Sequence, residues 1–413
     1  MERDSPSAWS SVGPEVVPGA REPIDEIVAA LRRSDRFARL CVDAAAADQP
    51  VTLIVNDPYR STMTAPALAA IGRCVARSTR QPRFRLLIAT GTHRIAAPLR
   101  RPFEQSLLQG SSLLMEDVRW HDADDEQQLS LIEGTSMNRW VVEGGFLLPI
   151  GSIQPHYFAG VTGSHKTLTI GTMAKRDIQR NHAKALHPAA DIMRLYGNPV
   201  FEDIVALAAR LASAGKQICA ITQVVARDAL VHVSVGDPVD SLHLALPAVA
   251  RAHTACVDAR ADAVHLKVAP PLDRNLYQAD KALKNNHALV RDGGGIILET
   301  DCPEGVGSAD FLAALERAPD HEAALQRVRR DGYALTDHKV LMLRHLTDPA
   351  GRGVSVALIA PGISDKHARI AGMTRFRRVA EARLWIAGVV QGPFDRFFTV
   401  ENAATCCIRV QGG

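Results

Sequence analysis

Five stretches of this 413-residue chain hold side chains whose types could do chemistry together: Asp57 with Arg60, His93, His156, the run from Lys166 to His182, and Gln278 with Lys281. Histidines exchange protons near neutrality and also ligate metals. A lysine amine forms covalent bonds to acyl-type carbon, which a guanidinium does not. Arg60 offers a planar fork of donors suited to a carboxylate. Plainer roles stand beside these: loop-stabilising hydrogen bonds for His93 and His156, phosphate binding for Lys166 in its Gly/Ser loop, and the exposed polar start of a helix for Gln278 and Lys281. Those last two lie three residues apart, which puts them on one side of a helical turn.

These residues must be held by the elements around them. Val51–Asn56 and Arg83–Thr90 have the composition of short buried strands, and the Ala-rich stretch from Pro66 to Arg77 between them predicts a helix. Strand, helix, strand is the rhythm of a parallel βαβ unit. Asp57-x-x-Arg60 follows the first strand and Gly91-Thr-His93 the second, where ligands sit in open α/β sheets. A third apolar segment, Val141–Ile150, leads into the His156 loop, and residues 161–182 read as a loop followed by a helix entering near Met173. Asn198-Pro199 is a cap and first turn for a helix running to Gly215. After a strand-like segment from Ile218 to Val225, the α/β pattern restarts. Ala263–Ala269 and Gly295–Thr300 read as strands around a helix from Ala279 to Arg291, followed by helices near 308–331 and a strand at Ser355–Ala360. The predicted organisation is a loose N-terminal arm (1–20), an α/β domain (21–255) and a second α/β domain (256–413) whose last segment may return to the first.

Composition narrows the function. The 48 basic and 45 acidic side chains leave a net charge of +3 with no clustered basic excess, against a dedicated nucleic-acid binder. A hydrophobic content of 46% excludes disorder as the main state. No window approaches about 18 unbroken apolar residues, and the first residues lack the basic-then-apolar order of a signal peptide, so no membrane span and a cytoplasmic location are expected. The seven cysteines are scattered without a CxxC pair and read as reduced thiols. Lysines number nine against 39 arginines, and none precedes Lys166, so a lysine here hints at a task that needs an amine.

Seven motifs then stand in one order: Asp57-x-x-Arg60, Ala89-Thr-Gly-Thr-His-Arg94, Gly151-x-Ile-x-Pro-His-x-Phe-Ala-Gly160, the Lys166 loop, Asn181-His182, Leu276-Tyr-Gln-Ala-x-Lys-Ala-Leu283 and Cys302-x-Glu-Gly-x-Gly307. The pattern resembles the nickel-dependent lactate racemase family, over roughly residues 50 to 310. The resemblance implies two α/β domains with a cofactor and substrate cleft between them. It implies a nickel-pincer nucleotide, a pyridinium mononucleotide holding nickel through two sulfurs and a ring carbon, attached at Lys166 through a thioamide. His182 would be the protein ligand to nickel, since imidazole beside an S/C/S donor set suits square-planar Ni(II). His93 and His156 would be the acid/base pair; Arg60, Gln278 and Lys281 would hold the substrate carboxylate. Asp57 would contact the cofactor or orient Arg60, and Thr90, Gly91 and Thr92 would offer donors to the nucleotide phosphate. Cofactor-synthesis enzymes become expected transient partners, while the oligomeric state is unread. Two positions depart from the family: His165 stands where a small residue is usual, as an outward-facing neighbour, a supporting group or a competing ligand, and Ser61 replaces the usual proline.

The expected reaction is racemisation or epimerisation of a 2-hydroxy carboxylic acid. Removing the α-proton would build a carbanion beside a carboxylate, which is costly; taking the hydroxyl proton while the α-hydrogen leaves as hydride passes instead through a neutral carbonyl. Inversion from either enantiomer asks for two bases, one on each side. A nicotinamide-type dehydrogenase is the competing enzyme class, but no GxGxxG follows an early strand. A non-catalytic nickel or nucleotide carrier would need Lys166 and His182 without the rest.

Overall fold

A computed structural model describes residues 9–411. Of the arm expected at residues 1–20, residues 1–8 lie outside them. The chain divides into two compact units: Val16–Ala252, and the described residues up to Glu15 together with the chain from His253 onward. Both are α/β. Among the described residues no helix is long and apolar enough to cross a membrane.

In the Val16–Ala252 unit a main sheet runs in the order Ala229–Gly236, Ala220–Ala226, Phe146–Ser152, Val51–Asn56, Arg83–Ala89, Leu114–Trp120. All neighbours are parallel except the hairpin made by the first two. The central strands are buried along nearly their whole length, as both faces of a helix-covered parallel sheet require. Thr64–Val75 is the crossover helix between Val51–Asn56 and Arg83–Ala89, and its Leu68 and Ile71 pack into the same core as Leu53, Leu86 and Leu148. The Pro199–Ser213 helix starts where Asn198 Oδ1 accepts the N–H groups of Val200 and Phe201. Ahead of the Val51–Asn56 strand the chain forms two helices, Pro23–Arg32 and Asp35–Ala46, because the Ser34 hydroxyl accepts the Phe37 N–H and starts a new helix.

The other unit carries a six-stranded parallel sheet in the order Ser10–Ser11, Phe397–Val400, Ala261–Lys267, Val290–Glu299, Ser355–Ile359, Thr374–Phe376. Two expectations about the chain ends are corrected here. Ser10 and Ser11 pair with Phe398 and Thr399, and Trp9 stacks on Phe397, so the stretch Trp9–Ser11 of the arm is tied to the edge of this unit's sheet rather than a loose tail. The last segment does not return to the first domain: Cys407–Val410 pairs with Thr254–Val257. The helix expected from Ala279 to Arg291 is also shorter and broken, into Leu276–Ala279 and Lys281–Asn286 with a single 3-10 turn at His287–Leu289. Asn286 stops it by accepting the Ile408 N–H and donating to the Ala403 carbonyl, while Val290 already pairs with Ala261.

Candidate active site

Three adjacent parallel strands deliver the first group of side chains. At their carboxyl ends stand Asp57 and Arg60 (after Val51–Asn56), His93 (after Arg83–Ala89) and His156 (after Phe146–Ser152). The loop carrying Arg60 is pinned to its neighbours: Asn56 donates to Thr62 Oγ1 at 2.7 Å, Thr62 to Ser152 Oγ at 3.0 Å, and the Met63 N–H to Gln223 at 2.9 Å. Buried Asp57 accepts from His93 Nδ1 at 2.6 Å on one oxygen and from the Tyr59 N–H at 2.9 Å on the other. Burial alone would raise the Asp57 pKa, but His93 beside it, with Arg60 and the Tyr59 N–H, outweighs burial and holds it below the ordinary value. Asp57 thus orients His93, a partner the sequence did not indicate. The Arg60 side chain donates to no described residue and stays available for an anion.

Lys166 lies on a one-turn helix, Ser164–Leu168, set directly on the end of Phe146–Ser152. A Cβ at Gly151 would fall 2.7 Å from both Ser164 N and Thr167 Oγ1, so only glycine admits that approach. Thr167 donates to Asn56 at 2.7 Å and Ser164 shares a hydrogen with Thr222 at 2.6 Å, which fixes the turn from both sides. The amine of Lys166 is buried 3.1 Å from His156 Nε2 and 5.3 Å from the centre of the Phe158 ring. Burial, reinforced by the charge of Arg60, pushes its pKa well below that of an ordinary lysine. The Ala159 N–H donates to His156 Nδ1 at 3.3 Å, which leaves the ring proton on Nε2, the nitrogen that faces the Lys166 amine.

His182, on the Lys175–Ala183 helix, meets the same Phe158 ring edge-on at 4.9 Å. Burial, then Lys166 and His93, keep its pKa well below 6.5. Its Nδ1 stands 3.1 Å from Asn181 Oδ1, an acceptor only, so Nδ1 is protonated and Nε2 presents a lone pair. That is the form of imidazole a metal takes. Among the described residues no three or more His, Cys, Asp or Glu side chains are grouped to hold a metal by themselves. A metal beside His182 would therefore draw its other donors from a bound group, which fits a cofactor that brings its own sulfur and carbon ligands.

The structure corrects the phosphate role expected for Gly91. Gly91, at φ 54°, gives its N–H to the Gly171 carbonyl, the His93 N–H closes a turn on Thr90, and the Thr90 hydroxyl donates to the His121 carbonyl. The Gly91 and His93 amides are thus spent on shaping the loop that aims His93. His165 is not an outward-facing neighbour: it is fully buried, with its ring edge-on to Phe201. In the other unit Gln278 and Lys281 do meet, Lys281 donating to Gln278 Oε1 at 2.5 Å, and both are buried rather than exposed. The Cys302–Gly307 motif supports them, its Gly305 and Val306 carbonyls accepting the N–H groups of Leu276 and Tyr277 at the helix start.

Comparison with known proteins matches the same regions. The model of the lactate racemase N-terminal domain matches residues 5–193 and that of the lactate racemase C-terminal domain residues 260–339. Two curated relatives are lactate racemases. That of Thermoanaerobacterium thermosaccharolyticum is 24% identical over 70% of this chain and 68% of its own, and that of Lactiplantibacillus plantarum 26% identical over 67% and 66%. Among solved structures, the lactate racemase apoprotein from T. thermosaccharolyticum shares the fold at a TM-score of 0.81, with 21% identity over 96% of this chain and 94% of that one. A protein from Thermotoga maritima matches at a TM-score of 0.72, with 14% identity over 95% of this chain and all of that one.

Proposed function

We propose, from the premise that this chain belongs to the lactate racemase family, that it is an isomerase inverting the hydroxyl-bearing carbon of a 2-hydroxy carboxylic acid. Lactate is the substrate named for its relatives; this chain is assigned the wider class, epimers of larger hydroxy acids included. The cofactor in this reading is a nickel-pincer nucleotide on Lys166 with His182 as the protein ligand to nickel, and it would supply reversible hydride acceptance when bound.

The protein's own residues do the rest. Arg60 binds the substrate carboxylate, a task also assigned to Gln278 and Lys281. His93 and His156 take and return the hydroxyl proton for the two enantiomers. Asp57 holds Nδ1 of His93, which leaves Nε2 for proton exchange. In His156 the arrangement is reversed: the Ala159 N–H donates to Nδ1, so that ring carries its proton on Nε2. The observation that carries the reading is the buried amine of Lys166 against His156, its pKa lowered well below that of an ordinary lysine, within one cluster with a His182 ring poised to give a lone pair. A surface or phosphate-binding lysine would keep its charge. The protein is further placed in the cytoplasm, as a client of cofactor-synthesis enzymes.

The test is intact mass and nickel content of protein produced together with those enzymes. A mass increase lost in Lys166→Ala, with one nickel per chain, is expected; an unmodified Lys166 refutes the reading. Single-enantiomer hydroxy acids deuterated at the α-carbon should then give inverted product that keeps the label in ordinary water. Complete washout would instead establish α-proton abstraction.

A further inference from the structure

His182 is the last link of a chain of side chains that begins on another helix. Asn181 donates through Nδ2 to Asp203 Oδ2 at 2.7 Å and, more weakly, to the Val200 carbonyl at 3.4 Å. Asp203 belongs to Pro199–Ser213, and its other oxygen accepts Lys184 Nζ at 2.6 Å. A carboxylate cannot donate, so it fixes which end of the Asn181 amide faces it. The amide nitrogen must point to Asp203 and the amide oxygen to His182 Nδ1, 3.1 Å away. Asn181 is almost fully buried, so water does not compete for either end.

We propose that Asp203, braced by Lys184, is a positioning residue that sets the tautomer of His182 through Asn181. The charge on Asp203 decides the orientation of the amide, and the amide decides which ring nitrogen of His182 holds the proton. With Asp203 in place the proton sits on Nδ1 and Nε2 is bare. Without it the Asn181 amide can turn over, its NH2 faces Nδ1, and the proton moves to Nε2, where it blocks coordination. Lys184 sits two residues after His182 at the end of the same helix, so its ion pair with Asp203 ties the two helices at the point where the ring must be aimed. The inference rests on the assignment of His182 as a metal ligand only for its purpose; the tautomer itself is a property of the chain without cofactor.

The experiment is therefore done on protein without cofactor, 15N-labelled at histidine, with two-bond 1H–15N correlation spectra assigned by His182→Gln. Wild type is expected to show a protonated Nδ1 and an unprotonated Nε2. Asp203→Ala should raise the ratio of the Nε2-protonated form about tenfold, the scale of one hydrogen-bond preference. Asp203→Asn, which can still offer a carbonyl oxygen to Asn181, should restore most of the wild-type ratio, whereas a purely structural role would show no such rescue in the spectra. A wild-type ring protonated on Nε2, or a folded Asp203→Ala that keeps the wild-type tautomer, overturns the proposal. Should Asp203→Ala not fold, Asn181→Val decides: unchanged protonation of Nδ1 there shows that the amide does not set it. None of these spectra depends on nickel, so an unmodified Lys166 in the loading experiment would refute the proposed function and leave this result standing.

Discussion

His156 Nε2 lies 3.1 Å from Lys166 Nζ, and because the Ala159 N–H donates to the other nitrogen of that ring, the proton between them belongs to the histidine. Burial lowers the pKa of that amine and so favours the uncharged form that attacks acyl carbon. Reaction with a small acylating reagent should show this. The rate at Lys166, followed by peptide mass spectrometry, is expected to climb less steeply between pH 7 and pH 9 than that of ordinary surface lysines, which rises about tenfold per pH unit. A Lys166 rate that climbs in parallel with the others would mean a charged side chain.

The Asp57 carboxylate predicts a kinetic signature. Asp57→Asn keeps the size of the side chain but can turn an NH2 toward His93 Nδ1, which leaves the ring without its acceptor. Turnover by loaded enzyme should fall about 10²–10⁴-fold, the usual contribution of a general acid/base, with a smaller change in KM because Arg60 still meets the carboxylate. A KM effect larger than the kcat effect would instead assign Asp57 to substrate binding.

His165 and His121 make the Val16–Ala252 unit sensitive to acid. Burial lowers the pKa of His165 to about 3, with Lys166 and His243 adding to the shift, and that of His121 to about 4 despite its bond to the Met173 carbonyl. A depressed histidine pKa means that the unfolded chain binds the proton more readily. Stability from these two rings is therefore complete above about pH 6.5 and declines as pH falls, through about pH 4 for His121 and about pH 3 for His165. Each contributes up to about 1.4 kcal/mol per pH unit inside its window. Neither ring nitrogen of His165 has a partner among the described residues, and Phe201 and Leu242 line its surroundings. His165→Leu should thus stabilise by about 1–3 kcal/mol at pH 7 and flatten the acid side of the profile. Urea titrations at pH 7 and pH 5 check both, and a less stable variant would mean that the imidazole is satisfied by bound water.

Parts of this architecture are written locally and were legible for that reason. Val51–Asn56 is an uninterrupted apolar strand, and Asn198-Pro199 carries its helix start in two adjacent residues. Leu114–Trp120 escaped notice because an edge strand with alternating exposure has no apolar run to betray it. The early stop at Asn286 comes from bonds to residues more than a hundred positions away, which no local pattern encodes. The same division runs through the site. His93, His156, Lys166 and His182 stand out by type and motif, whereas Asp203 is a helical aspartate 22 positions from the amide that it orients. The Gly91 loop misled because a glycine before a helix resembles a phosphate cradle until its amides are followed to their acceptors.

Asn198 joins the helix start to the site. Beyond capping, its Nδ2 donates to the carbonyls of Phe158 and Arg194 at 3.0 Å, so one buried side chain holds the loop whose Phe158 ring touches both Lys166 and His182. Asn198→Ala removes the cap and strands those carbonyls. A loss of about 2–3 kcal/mol in urea unfolding is expected, above the ~1 kcal/mol of a cap alone. Asn198→Asp keeps the cap oxygen but not the donor, and should fall between the two.

Beneath Gln278 and Lys281, Asp280 is fully buried between two lysines, paired with Lys284 and accepting Lys339 Nζ at 2.6 Å, while Lys339 also donates to the Tyr277 carbonyl. Burial works against the ionised carboxyl, but the two ammonium groups outweigh it and hold its pKa below the ordinary value. Its contribution to stability is therefore present above about pH 4 and lost as pH falls further. Asp280→Ala leaves two buried cations without their counter-ion and should cost about 3–5 kcal/mol, read as a lower unfolding midpoint in urea. Replacing all three charges together, with Asp280→Leu, Lys284→Met and Lys339→Met, removes the desolvation cost as well as the attraction. That triple variant should recover most of the loss. If it is as unstable as Asp280→Ala, the cluster contributes through packing and not through charge.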